Sequence, residues 1–365
     1  MKNSKTQNNL SYPSLLNFNY EGFNFNYKDN KLSKHTQSFK EKLLKKVSEN
    51  TLIIFNGEAI FNNLKNIEVT TEQNNNFTPE TKLDQINKDN QNSFLNLKVT
   101  KNTTQKITVI ISATKDLYHY SQVEIGENSN VEITNKFELT TNAKINAYFN
   151  SRILQNAGVQ VISYQNLKNK KSNIINENYE LCKNASLDYN LVNVNSANTI
   201  NLINTKLTDE YANTQINTVN FANKTYRLVN LVKAEHLNKK TTSKINNFGL
   251  SNNSALLNIE GINSIKKGCI KSNASQNTKV INLTNEANSS ANPQLLIDEH
   301  DVKASHSATI GKVDSKQLYY LMSRGLNKNK AIELIVMANV TNMLDKITNK
   351  KLLQTMLKTA KNKIL

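Results

Sequence analysis

The sequence predicts a mainly β protein: a parallel β-helix, with an N-terminal extension containing a helix and a C-terminal α-helical module. Three observations carry this reading. From about Phe94 to Asn292 short segments alternate apolar and polar residues with period two, the mark of strands with one buried face. Corners containing Asn, Ser and Gly separate them, and asparagine tolerates the left-handed backbone that a sharp corner demands. After Gly311 the apolar period changes to that of helices.

In chain order, the first thirty residues are asparagine-rich with scattered aromatics, as in SYPSLLNFNYEGFNFNY; they keep neither period and are expected to drape over the surface. Between Ser33 and Ser48, Phe39, Leu43, Leu44 and Val47 fall on one side of a helix, with lysines and Glu41 on the other. Leu52 to Phe55 form an apolar strand ending at Asn56-Gly57, a pair suited to a tight turn. The polar stretch from Thr70 to Ser93 reads as a loop. Alternating segments follow, among them Val123-Glu124-Ile125, Val131-Glu132-Ile133, Phe137-Glu138-Leu139, Ile216 to Phe221, Tyr226 to Val232, Ala255 to Ile259 and Lys279 to Leu283. About two hundred residues of this texture is long for one sandwich, and stacked coils burying a continuous apolar column fit it better. No strict repeat is visible, so a pair of sandwiches stays open as the alternative.

The closing helices carry their own signals. Asp314-Ser315-Lys316-Gln317 resembles a capping box, Leu318, Leu321 and Met322 form a stripe, and Gly325 stops the helix. Asn327 caps a second helix with Ile332, Ile335, Val336, Val340, Met343, Leu344 and Ile347 on a wide apolar face. A third segment places Leu352, Leu353, Met356 and Leu357 on one side. The expected organisation is an extension over 1–93, the β-helix over 94–310 and the helical module over 311–365.

The formal charge of +17 in 365 residues suggests an anionic partner, but its distribution argues against nucleic acid. Nearly all of it is lysine scattered among asparagines; arginine occurs only at Arg152, Arg227 and Arg324, whereas bidentate recognition of phosphates and bases leans on arginine. Cys182 and Cys269 lie far apart and outside any CxxC pattern, which points to a reducing cytosol rather than a disulfide framework. No apolar leader opens the sequence and no run of 18 apolar residues follows, so neither export nor a membrane is expected.

The run Asn292-Pro293-Gln294-Leu295-Leu296-Ile297-Asp298-Glu299-His300-Asp301-Val302-Lys303-Ala304-Ser305-His306-Ser307-Ala308-Thr309-Ile310-Gly311 resembles the signature of the SufB/SufD family, P-x-L-x-I-x-x-D-D-V-K-C-S-H-G-A-T-x-G. The likeness continues through Asp314, Leu318-Tyr319-Tyr320-Leu321 and Ser323-Arg324-Gly325-Leu326 to Ala331–Ile335. Upstream, His236 with Thr241 and Ser243 resembles the family's H-x-x-x-x-T-x-S, and Leu52 to Gly57 its L-V-F-V-N-G strand. The resemblance implies a right-handed parallel β-helix that is a scaffold and not an enzyme. It implies pairing of a B-type with a D-type subunit through their β-helices, and docking of an ABC-type ATPase, the SufC-like subunit, on the C-terminal module. It further implies a transient iron–sulfur cluster at the subunit interface, with ATP bound by the ATPase alone; a part for flavin stays open.

The departures point to a D-type subunit. The motif cysteine is Ala304, the first aspartate of the pair is His300, and the glycine after the histidine is Ser307. The resemblance makes His306 the expected cluster and iron ligand, against the plainer role of a structural histidine at the join to the helical module. Tyr319, Tyr320, Arg324 and Gly325 are candidate contacts for the ATPase. Asp298, Glu299, His300 and Asp301 are read as surface or capping groups, since a strand would split them between two faces. For Cys182 and Cys269 burial is the favoured reading, for His236 a satisfied packing role at a turn, and His35 and His119 carry no motif. The alternatives are a B-type homodimeric scaffold and a β-helical carbohydrate-active enzyme; scarce arginine argues against the latter.

Overall fold

A computed structural model describes residues 10–14, 20, 23–25, 36–45, 49–61, 64–72, 78–139 and 142–364. The chain opens with α1 (Thr36–Leu44), β1 (Thr51–Phe55), β2 (Glu58–Phe61), β3 (Ile67–Thr70) and α2 (Lys82–Asn90). Next come β4 (Ser93–Val99), β5 (Thr104–Ser112), β6 (Leu117–Ile125), β7 (Asn130–Leu139), β8 (Ile145–Ile153), β9 (Gly158–Leu181), β10 (Ser186–Asn193) and β11 (Ser196–Leu207). The rest are β12 (Asn213–Ala222), β13 (Arg227–His236), β14 (Thr242–Ser251), β15 (Leu256–Ile265), β16 (Asn273–Asn282), β17 (Asn288–Ile297), β18 (Lys303–Gly311), α3 (Ser315–Ser323), α4 (Lys328–Met343) and α5 (Lys350–Lys361).

From β4 onward each strand pairs in parallel with the strand one turn away, giving a β-solenoid of about eight turns with two sheets, not a pair of sandwiches. The first sheet stacks β5, β7, the start of β9, β10, β12, β14, β16 and β18. The second stacks β4, β6, β8, the end of β9, β11, β13, β15 and β17. A turn takes 26 residues from Ile107 to Ile133 but 31 from Ile245 to Gln276, which is why no strict repeat shows in the sequence.

Corners behave as asparagine chemistry requires. Asn102, Asn128, Asn156 and Asn184 all adopt positive φ, and Nδ2 of Asn156 and of Asn184 each donate to Oδ1 of the asparagine one turn earlier, at 3.0 and 2.9 Å. In later turns Tyr211, Lys240 and Lys271 hold the left-handed corner instead. The strands run longer than the apolar segments suggest, because asparagines and threonines such as Asn201, Asn230 and Thr218 also lie buried in them.

Both outer faces are covered. On the first sheet Ile162, Tyr164, Val219, Phe221, Phe248 and Leu250 pack against Val336, Val340, Leu344, Ile347, Leu352 and Met356 of the C-terminal module. On the second, Ile200, Leu202, Val229 and Leu231 pack against Leu83 of α2 and against Tyr12, Tyr20, Phe23 and Phe25, so the described part of the N-terminal stretch is an aromatic coat.

Several expectations need correction. The stretch read as a loop contains α2, opened by a capping box in which Thr81 N–H donates to Asp84 Oδ2 at 2.8 Å and Asp84 N–H to Thr81 Oγ1 at 3.3 Å. Its buried face is largely polar, with Asn87 Nδ2 donating to the carbonyls of His119 and Asn146, so apolar period could not reveal it. In α1, Leu43 is buried but Leu44 is exposed; Val47 and the side chain of Phe39 lie outside the described residues, as does His35. Asp314 does cap α3 through Gln317 N–H at 2.9 Å, without a reciprocal bond from the Gln317 side chain. Asn327 caps α4 and Gly325 ends α3 at φ +93, as expected.

Candidate functional site

Register sets the position of His306. One column of the first sheet runs Ile107, Ile133, Val161, Tyr189, Ile216, Ile245, Gln276, His306, one residue per turn. Its first six members belong to or pack against the core inside the coil, so His306 is on the lumen-facing side of the last strand. The imidazole is exposed because β18 is the final rung: among the described residues β18 pairs with β16 alone, and every one of its nine residues is exposed. No described residue hydrogen-bonds the His306 ring. Ala304 shares its face two residues earlier.

The rim around it is apolar. Ile297 on β17 and Ile310 on β18 are 36% and 43% exposed, although they continue the columns of Ile265 and Val280 below them; Leu296, 49% exposed, lies on the opposite, outer face of β17. Beside this rim α3 buries none of its residues; Tyr319 is 78% and Tyr320 57% exposed, and the Arg324 guanidinium lies 5.4 Å from the Tyr320 ring centre. Tyr320 also lines a groove of about 380 Å³ with Leu321, Leu334 and Ile335.

The remaining described histidines, cysteines and acidic groups are buried or engaged in local hydrogen bonds. His236 is fully buried, with Nδ1 2.7 Å from Thr241 Oγ1 and Nε2 2.8 Å from Ser243 Oγ, and burial pushes its pKa down to about 4. His119 is likewise held between Ser93 and Ser121, and burial lowers it to about 3. Burial raises the thiol pKa of both Cys182 and Cys269, and Cys269 Sγ donates to the His236 carbonyl at 3.2 Å. Asp298 to Val302 form a corner and not a strand; there Glu299 accepts from the backbone N–H of Gly268, His300 and Asp301, which holds its carboxyl below the usual range. Among the described residues no three His, Cys, Asp or Glu side chains converge on a metal position.

Residue-by-residue reading missed Gln276, the polar residue directly beneath His306; counting one turn back along the column is the signal that finds it.

A family model described as "SUF system FeS cluster assembly, SufBD core domain" matches residues 108–339. The chain belongs to the SufBD family. Within SufBD proteins it is similar to "Iron-sulfur cluster assembly protein SufD" of Bacillus subtilis, 45% identical over 101 residues, 28% of this chain and 23% of that one. It is also similar to the protein of the same description from Escherichia coli, 31% identical over 97 residues, covering 27% of this chain and 23% of that one. A SufBD family protein of Staphylococcus aureus matches at 26% over 198 residues, 54% of this chain and 43% of the relative. The chain spans less than half the length of these relatives. It is thus a SufD-like member of a SUF iron–sulfur assembly family whose members are generally non-catalytic scaffolds. No helix among the described residues is long and apolar enough to cross a membrane.

Proposed function

We propose that this chain is the D-type scaffold subunit of a SUF-type complex, pairing through its last turn with a SufB-like subunit and offering α3 and α4 to a SufC-like ABC ATPase. The carrying observation is His306 on a nine-residue strand whose outer edge is bare. Unpaired strand edges recruit further strands, and the exposed Ile297 and Ile310 at the mouth of the lumen favour association over hydration. Neutral imidazole is a competent iron ligand, while Ala304 brings no thiolate. A nascent cluster bound at His306 is cargo that needs its remaining donors from the second chain. The exposed Tyr319, Tyr320 and Arg324, with Gly325 ending their helix, supply the aromatic and arginine anchors that interfaces favour.

The test is co-expression with a B-type paralogue and an ABC ATPase, followed by anaerobic purification. A ternary complex is expected, in which His306→Ala preserves assembly but lowers iron and acid-labile sulfide. A chain that remains a monomer with both partners present, or an unchanged cluster content in the variant, refutes the reading; a stable homodimer would favour the B-type alternative.

A further inference from the structure

Directly beneath His306 in the strand register lies a buried polar side chain. Gln276 is 4% exposed, and its carboxamide crosses the lumen: Nε2 donates to the Gln294 carbonyl of β17 at 2.8 Å. Its Oε1 is buried and accepts no hydrogen bond from a described residue. That oxygen occupies the space a side chain at position 261 would fill, since a Cβ on Gly261 would collide with it. Gly261 has no positive φ, so its missing side chain serves this close approach and not a backbone turn. Below, Ile245, Ile216 and Tyr189 fill the column and are fully buried.

A glutamine in a column that is apolar below it costs desolvation, and its carbonyl oxygen accepts no hydrogen bond from a described residue. Plain core packing is served better by leucine or methionine. What the amide does is tie β16, the strand that supports His306, to β17 across the mouth. It also sets a polar floor one strand spacing, about 5 Å, beneath the imidazole. We infer that Gln276, seated by Gly261, is a positioning residue that fixes the imidazole of His306 at the open end of the lumen for iron. This rests on the proposed role of His306. The Gln276 amide stops the ring from folding down into the column and leaves its nitrogens to the rim, so incoming iron and sulfide reach it across the open edge.

Two variants acting from opposite strands test it. Gln276→Met keeps the volume and removes the tie; Gly261→Ala keeps the glutamine and displaces its amide. In the co-purified complex, reconstituted anaerobically with ferrous iron and sulfide, each is expected to weaken iron retention against a chelator about tenfold, the usual scale for a group supporting a ligand. The double variant should lose no more than either alone, and pulsed EPR of the reduced cluster should show diminished imidazole nitrogen coupling. Hydrogen exchange of β16 and β18 should match the parent. Parent-like iron retention in both variants, with His306→Ala still defective, overturns the role of Gln276 while sparing that of His306. Loss of exchange protection throughout the last turns would make Gln276 merely structural, which also overturns it. An inert His306→Ala removes both.

Discussion

The two ends of the solenoid are built differently. At the first, β1 lies parallel on β5 and turns back at Asn56-Gly57 into β2, while β3 closes antiparallel on β4. The edges that remain are four residues long, Leu43 covers Ile53, Phe55 and Ile110, and Lys40 pairs with Glu58 at 2.7 Å. At the last, β18 offers nine exposed residues with one formal charge, Lys303, besides the titratable His306. Short, covered and charged edges resist pairing, whereas a long, nearly uncharged one invites it. Among the described residues one end of the coil has short, covered edges and the other a long exposed one, the edge on which the proposed pairing rests.

That contrast can be broken by experiment, most forcefully through core deletion. Phe137 is fully buried in the lumen and meets Phe149 edge-on at 5.9 Å; Phe137→Ala should cost about 3–5 kcal/mol in urea denaturation. Ile310→Ala, the same operation at the open end, should cost less than about 1 kcal/mol because its side chain is already half solvated. Equal costs would mean the last turn is as consolidated as the first.

Acid should act next most strongly. His119 and His236 are neutral when folded, at about 3 and about 4, but protonate near the ordinary 6.5 when unfolded. The unfolded chain therefore binds more protons below pH 6.5, and their contribution is intact above that pH and lost progressively as pH falls through about 4 for His236 and about 3 for His119. A pH series of denaturation midpoints should show this limb, and His236→Gln should shallow it. An unchanged limb would assign it to other groups.

Corners offer a smaller test. Asn156→Ala places alanine at φ 59 and breaks the amide ladder, for a loss of about 1 kcal/mol or somewhat more. Lys271→Asn, at φ 60 beside the open end, should stabilise by a few tenths of that. Thermal melts decide whether ladder and backbone effects differ between the halves. The smallest effect on stability, within about 0.5 kcal/mol, is expected for Ala308→Lys on the exposed last strand, yet it should abolish pairing in sedimentation experiments. Undiminished association would place the contact elsewhere.

Much of this was legible in the sequence where physics is local. Period-two alternation, asparagine corners, the caps at Asp314 and Asn327 and the stop at Gly325 all depend on a few neighbouring residues. Where burial is polar the signal disappears, as in α2, whose Asn87 and Asp84 dock by hydrogen bonds, and in the strand extensions carrying Asn201 and Asn230. The motif around His306 was readable as a string, but its being a lumen column with Gln276 beneath was not, because the partner lies 30 residues away in an irregular coil.

By itself, then, the sequence determined that the chain is a stack of strands with helices at its end and that it carries the SufBD signature, since alternation, turn chemistry and motif order are properties of the string. Only the tertiary structure decided which polar side chains enter the lumen, which faces the two termini cover and which turn stays open. Those outcomes depend on strand register summed over about eight turns of unequal length, and each unequal turn shifts what lies above what.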